Sequence, residues 1–517
     1  MGLTFPQAAI LFLLLALVTP AEGAWLAGDL HSHTWLTDGS RSMSELAESA
    51  FQQYGLDWLA NSEHGGAYTR NPEGLYWDDQ SLSTIFLGDP IFIGGHQAMW
   101  RWQSLRDYSF PLLEALNGTY PDRILFQALE WNVPGHGHAS VGIAAGPEAV
   151  SDFEYLCDAE DTDTSRNGQF GISVKPNAGH PDALYCVGWL QEYYPQNSYI
   201  IINHPSRNMR YSIGHIRELN DYAPEVFIGF EGLPGHQKST SRGKYNRGPF
   251  LNNQGEDVTF KARTYGGADY MAARTGGVWD ALLGEGRRFW IFANSDFHNP
   301  VGDFWPGEYA KTYLRVVDGS GDHYHSPDEV TVGLRSGSSF VVHGDLIKAL
   351  RFRVRKGPGR SAGMGRTLEV KRGKSVRVVI KFKSPMHNNN CDPGTGLCDR
   401  VRVDHIDLIS GRITGLIEPG APEYESRETN ETARVIQRFS RRDWRRINDW
   451  KVIRYRMPIR RDRYLRLRGT NLESGTPLET DAGGDPLRDD LMGSNNAQKA
   501  YADLWFYSNP IFLRVRD

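Results

Sequence analysis

Almost every one of the apolar, strand-like runs in the first part of this 517-residue chain stops or starts on a side chain able to bind a metal. The first, "WLAGDL", runs into His31 and His33 of "HSHTWLTDG"; "LDWLANSEH" ends in Glu63 and His64, and "RILFQALEW" carries Glu130. "HASVGIAA" opens on His138, "SYIIINHP" ends at His204, and "RFWIFANSDFH" ends at Asp296 and His298, with "EVFIGFE" between the last two. Residues two apart on a strand point to one face, so His31 and His33 can share a ligand. One H-x-H says little, because the pattern recurs at His136 with His138 and at His323 with His325, and the last pair lies in the polar stretch "GSGDHYHSPDE", read as surface. Recurrence at successive strand ends is what matters, because such ends converge on one face of a barrel.

Between the runs lie helical signals. In "MSELAESAFQQYG" the apolar residues recur at helical spacing, Ser42 and Glu45 form a capping box, and Gly55 is the stop. "DYMAARTGGVWDALLGEG" also reads as helical. Strand and helix alternation predicts an α/β barrel or parallel sheet.

The ordered set "DLHSHTWLTDG", "NSEH", "ALEWN", "INHPSR" and "NSDFH" resembles the motifs of the polymerase and histidinol phosphatase (PHP) family of metal-dependent phosphoesterases, over about Trp25 to Val342. The resemblance implies a distorted seven-stranded (βα) barrel. It also implies a centre of two or three divalent ions (zinc, manganese or iron) held by His31, His33, Asp38, His64, Glu130, His138, His204, Asp296 and His298. His138 fits better than His136, and His180, which also precedes a proline, rivals His204. The family's "TDH" is "SEH" here, so Glu63 is expected to orient an imidazole. Mixed imidazole and carboxylate donors suit these metals better than magnesium.

Such ions lower the pKa of a bound water toward about 7, giving hydroxide as the expected nucleophile on a phosphomono- or phosphodiester. Arg207 is placed to neutralise phosphoryl oxygens, with Lys238 as a weaker candidate, and His236 to protonate the leaving oxygen. The expected partner is a phosphorylated small molecule or nucleotide-type substrate. Two alternatives stand beside this: a hydrolase of C–N or carboxylic ester bonds, and a polyanion-binding protein with structural metals. The second draws on "RRDWRRINDWKVIRYRMPIRRDRYLRLRG", where arginine interleaves with aromatics. A net charge of -5 argues against an obligate nucleic-acid coat.

Residues 1–23, with an apolar stretch from Ala8 to Val18 too short to span a bilayer, read as a secretory signal, and no later segment is a membrane span. Four cysteines suit a secreted or periplasmic protein, and the turn-rich "DPGTGL" between Cys391 and Cys398 favours that pair, leaving Cys157 with Cys186. Residues 24–345 are expected to form the barrel. Residues 346–517, where short runs alternate apolar and charged, are expected to form a smaller antiparallel β-sandwich-like domain.

Overall fold

The structure is a computed structural model that describes residues 23–245, 248–252, 254–317, 325–357, 359–392, 394–489 and 496–517. The expected leader, apart from Gly23, and His323 lie outside the described residues. The protein is mixed α/β, with one large central sheet and further smaller sheets.

All seven apolar runs form strands: β1 (Ala24–Asp29), β2 (Trp58–His64), β3 (Ile124–Asn132), β4 (His138–Ile143), β5 (Ser198–Ile202), β6 (Phe227–Leu233) and β7 (Trp290–Ala293). They lie side by side in chain order, followed beyond β1 by β8 (Ala310–Val316) and β9 (Ser339–His343). β3, β5, β6 and β7 are buried along their whole length, as expected of strands covered on both faces. The arrangement is not wholly parallel, because β4 runs antiparallel to both β3 and β5. That reversal sets the first residue of β4 level with the last residue of β3, so His138 pairs with Asn132. Past the ends of β1 and β7 the chain stays extended: Ser32 bridges Phe297 in parallel, His33 N donates to Phe297 O at 2.9 Å, and Asp296 N donates to His31 O at 3.0 Å.

Helices α1 (Met43–Glu48), α2 (Phe110–Thr119), α3 (Pro147–Cys157), α4 (His180–Tyr193), α5 (Ile213–Tyr222), α6 (Val278–Glu285) and α7 (Pro327–Arg335) fall between these strands. The Ser42–Glu45 capping box opens α1, with Glu45 N donating to Ser42 Oγ at 3.2 Å and Ser42 N to Glu45 Oε2 at 2.9 Å. The helix expected across "DYMAARTGGVWDALLGEG" is broken into Tyr270–Ala273 and α6, because Gly276 takes a φ of 81°. Disulfides join Cys157 to Cys186 and Cys391 to Cys398.

Besides a short hairpin of His387–Cys391 with Cys398–Arg400, the C-terminal strands are β10 (Ala349–Gly357), β11 (Arg360–Gly363), β12 (Thr367–Lys371), β13 (Ser375–Lys383), β14 (His405–Arg412), β15 (Arg434–Ser440), β16 (Arg445–Ile447), β17 (Trp450–Pro458), β18 (Arg463–Thr470), β19 (Trp505–Ser508) and β20 (Ile511–Arg516). They do not keep to a sandwich of their own. β11, β10, β13, β17 and β16 make a five-stranded antiparallel sheet, whereas β19, β18, β14 and β15 continue the central sheet from β9. Strand β9 carries Phe340, Val341 and Val342, all buried, and β19 covers the edge they would otherwise expose. No helix among the described residues is long and apolar enough to cross a membrane.

Candidate metal centre

The site is built around one buried carboxylate. Glu130, near the end of β3, is 1% exposed and faces five imidazoles: His31 Nε2 at 3.1 Å, His33 Nε2 at 3.2 Å, His64 Nδ1 at 3.1 Å, His138 Nδ1 at 3.0 Å and His204 Nε2 at 3.4 Å. A second buried carboxylate, Asp296, brings Oδ1 to 3.4 Å from His31 Nε2, 3.5 Å from His33 Nε2 and 3.6 Å from His298 Nδ1. At the rim, half-exposed Asp38 meets His298 Nε2 at 3.2 Å, His33 Nδ1 at 3.6 Å and His64 Nε2 at 3.6 Å. The structure thus brings all nine expected ligands into one pocket. Among the described residues, four groupings here have donor atoms close enough to hold an ion: His31, His33, Glu130 and Asp296; His33, Asp38, His64 and His298; His64, Glu130 and His138; and His236, Asp296 and His298.

Local backbone explains the convergence. His31 and His33 flank the Ser32 bridge, so both rings fall on one side and their Nε2 atoms lie 3.1 Å apart. His204 (φ 30°), His236 (φ 56°) and Asp296 (φ 47°) all occupy the left-handed region, which costs a side-chain-bearing residue of order 1–3 kcal/mol. Hydrogen bonds hold them there: His204 N donates to Glu231 Oε2 at 2.7 Å, and Asp296 N is bound by the His31 carbonyl. Asp29 ties the segments after β1 and β7 together by accepting from His31 N and Ser295 N, each at 2.9 Å.

Proton accounting shows what the pocket lacks. His31 Nδ1 donates to Glu231 Oε1 at 2.7 Å, so its Nε2 lone pair points at the Glu130 and Asp296 oxygens. Lone pairs at these separations attract only if a cation, proton or metal, lies among them. Burial opposes charge on His31, yet the carboxylates of Glu130, Asp296 and Glu231 lift its pKa well above the ordinary value. Burial likewise opposes charge on His33, but its bonds to Asp296 and Glu130 raise it to about 10. Glu130 and Asp296 sit well below the usual carboxylate range: burial works against this, and the neighbouring imidazoles, with Arg207 beside Asp296, outweigh it. His64 is pushed down to about 3 and His204 to about 4, mainly by burial. The donor set therefore fits divalent ions, which would replace those protons.

Arg207 Nη2 donates to Asp296 Oδ2 at 2.9 Å, and its buried Nε has no hydrogen-bond partner. His236 is held between two acids, with Nε2 2.9 Å from Asp296 Oδ2 and Nδ1 2.5 Å from Asp303 Oδ1. Lys238 turns elsewhere, donating to the Pro300 carbonyl at 2.9 Å. Glu63 does not orient an imidazole. Its longer side chain reaches the loop after His33 and accepts from Thr34 N at 3.0 Å and from the Thr34 and Thr37 hydroxyls. His136 and His180 lie outside this pocket and meet each other. Sequence reasoning missed Glu231, Asp303 and Asn203, which donates to Glu130 Oε1 at 2.9 Å. Glu231 had a signal, since it lies near the end of "EVFIGFE" as Glu130 lies near the end of "RILFQALEW".

No family model matches the chain, and no curated protein matches it. Among solved structures the chain is similar to a two-domain protein from Bacteroides vulgatus containing a predicted PHP-like metal-dependent phosphoesterase. The identity is 11% and the TM-score 0.35, over 91% of this chain and 95% of that one. Fold and site together define a mixed α/β protein with a buried histidine–carboxylate centre fit to hold cations.

Proposed function

We propose that the protein is a metal-dependent phosphoesterase of PHP type, acting on phosphomono- or phosphodiesters of small molecules or nucleotides. The observation that carries this is Glu130, one buried carboxylate touched by five imidazoles from the ends of four other chain segments. His31, His33, Asp38, His64, Glu130, His138, His204, Asp296 and His298 would hold two or three ions of zinc, manganese or iron. When bound, such ions polarise phosphoryl oxygens and acidify water. The remaining steps belong to side chains of this protein. Glu231 and Asn203 orient the donors. Arg207 keeps its Nε–H for a phosphoryl oxygen while its Nη2 holds Asp296. Asp303 fixes the proton on His236 Nδ1, which leaves Nε2, held 2.9 Å from Asp296 Oδ2, as the atom that would pass a proton to the leaving oxygen.

The hydrogen bonds between the segments after β1 and β7 support a distorted seven-stranded barrel over residues 24–345. The change to alternating, half-exposed strands supports treating 346–517 as a second unit. Two disulfides support an oxidising location, secreted or periplasmic. The polyanion-binding alternative loses part of its surface, since Arg466 and Arg468 are fully buried in pairs with Asp280 and Asp407.

Metal analysis of freshly purified protein, then a panel of aryl phosphates, phosphodiesters, esters and amides with and without chelator, tests the reading. The expected result is chelator-sensitive phosphoester turnover, lost together with the metal in His31→Ala and Asp296→Ala. Turnover kept in either variant would refute it.

A further inference from the structure

His136 and His180 stand apart from the Glu130 centre and form a cluster of their own. His136 lies in the turn between β3 and β4, His180 opens α4, and both meet His215 in the first turn of α5. Ring centroids are 5.0 Å apart for His136 and His180, 4.7 Å for His136 and His215, and 4.8 Å for His180 and His215. Tyr211 stacks on His136 with centroids 5.0 Å apart, fixing its ring.

The protons of this cluster can be assigned from their partners. His136 Nδ1 lies 3.0 Å from the Arg210 carbonyl, which only accepts, so Nδ1 carries the ring proton. His180 Nε2 lies 2.6 Å from Glu218 Oε2, another acceptor, so its proton sits on Nε2. The two nitrogens left over, His136 Nε2 and His180 Nδ1, face each other at 2.8 Å. In neutral rings both are lone pairs, and they repel unless a cation sits between them. His136 is only 5% exposed, so solvent offers little relief.

We propose that His136, His180 and His215 form a second site, separate from the Glu130 centre, for one borderline transition-metal ion of the zinc or copper class. Imidazole donors suit these ions. A backbone carbonyl and a carboxylate on the far ring nitrogens are the outer partners that set the tautomer of ligating histidines, and Arg210 and Glu218 supply both. Zinc–nitrogen bonds of about 2.0–2.1 Å separate tetrahedral donors by roughly 3.3 Å, so entry of the ion widens the existing pair by about half an ångström. His215 would become the third ligand by turning inward: its ring lies near the other two, its nitrogens are not yet grouped with theirs at ion-binding distance, and its Nδ1 gives up only a long contact, 3.4 Å, to the Ser212 N–H. A surface cavity of about 330 Å³ reaches His136, and it is also lined by His138 of the Glu130 centre. The ion would pin the β3–β4 turn, α4 and α5 together, a role the phosphoesterase reading does not assign.

Full-length protein stripped by chelator and reloaded with zinc, then with cobalt(II), tests this by bound metal per chain and visible absorption. His180→Ala is expected to bind one equivalent fewer than the unsubstituted chain and to lose the cobalt bands of one four-coordinate site. Glu218→Gln, altered at a half-exposed position, is expected to keep the stoichiometry with about 10- to 100-fold weaker binding at that site. In a His31→Ala background one His180-dependent equivalent should persist, which separates this site from the Glu130 centre. Equal stoichiometry and identical cobalt spectra with and without His180 would overturn the proposal and leave the 2.8 Å contact to a shared proton.

Discussion

Glu231 Oε1 accepts the His31 Nδ1 proton at 2.7 Å, while Glu231 Oε2 accepts from the His204 backbone at 2.7 Å. One side chain thereby sets the tautomer of a donor from the first strand and holds the strained backbone of a donor from the fifth. Glu231→Gln keeps the shape and removes the charge. The expected outcome is about 10- to 100-fold weaker metal binding, read by titration of chelator-stripped protein, with unchanged far-UV circular dichroism.

Arg207 contacts Asp296 yet has an N–H to spare. Arg207→Ala is expected to lower kcat on a phosphoester by about 10²- to 10³-fold, the cost of removing one preorganised donor from a developing anion. Arg207→Lys should recover little of this, because an ammonium cannot hold Asp296 and a phosphoryl oxygen at once with a planar fork. Steady-state kinetics on metal-replete variants measures both effects.

Proton uptake by the centre once its metal is stripped makes metal loading pH-dependent. His33, raised to about 10, and His31, raised well above its ordinary value, hold protons at neutral pH without metal. Metal binding must release them, so apparent affinity rises with pH between about 6 and 9. For the metal-free protein the sign is opposite. A histidine whose folded pKa is raised contributes stability fully present below about 6.5, and that contribution is lost as pH rises through about 10. Calorimetric titration at several pH values, paired with thermal melts of stripped protein, checks both directions.

Asp280 in α6 accepts from Arg466 Nε at 2.8 Å and Nη2 at 2.7 Å, and both side chains are fully buried. The pair ties the N-terminal α/β region to strand β18. Asp280→Ala leaves a buried guanidinium without its counter-ion and is expected to destabilise the protein by about 3–5 kcal/mol. The double variant Asp280→Leu with Arg466→Met should recover much of that loss. Denaturant unfolding with a double-mutant cycle measures it.

Much of the fold is legible because its strands are apolar runs bounded by polar residues, and burial on both faces writes that pattern directly into sequence. The α1 start is legible for a local reason, since Ser42 and Glu45 exchange bonds three residues apart. The reversal of β4 is not legible, because a short buried strand reads the same in either direction. Nor is the continuation of the central sheet from β9 into β19, which pairs residues more than 160 positions apart, such as Phe340 with Ser508. The site divides in the same way. Histidines at strand ends stand out in sequence, whereas Glu231, Asn203 and Asp303 act through contacts that only folding creates.

By itself, then, the sequence determined which side chains could serve a cation centre and which runs would be buried, because residue chemistry and hydrophobic periodicity are properties of the chain. Tertiary structure decided which histidines share a pocket. It sent His138 to Glu130 and His136, two residues away, to His180, because direction and distance between segments are set by packing and not by spacing along the chain.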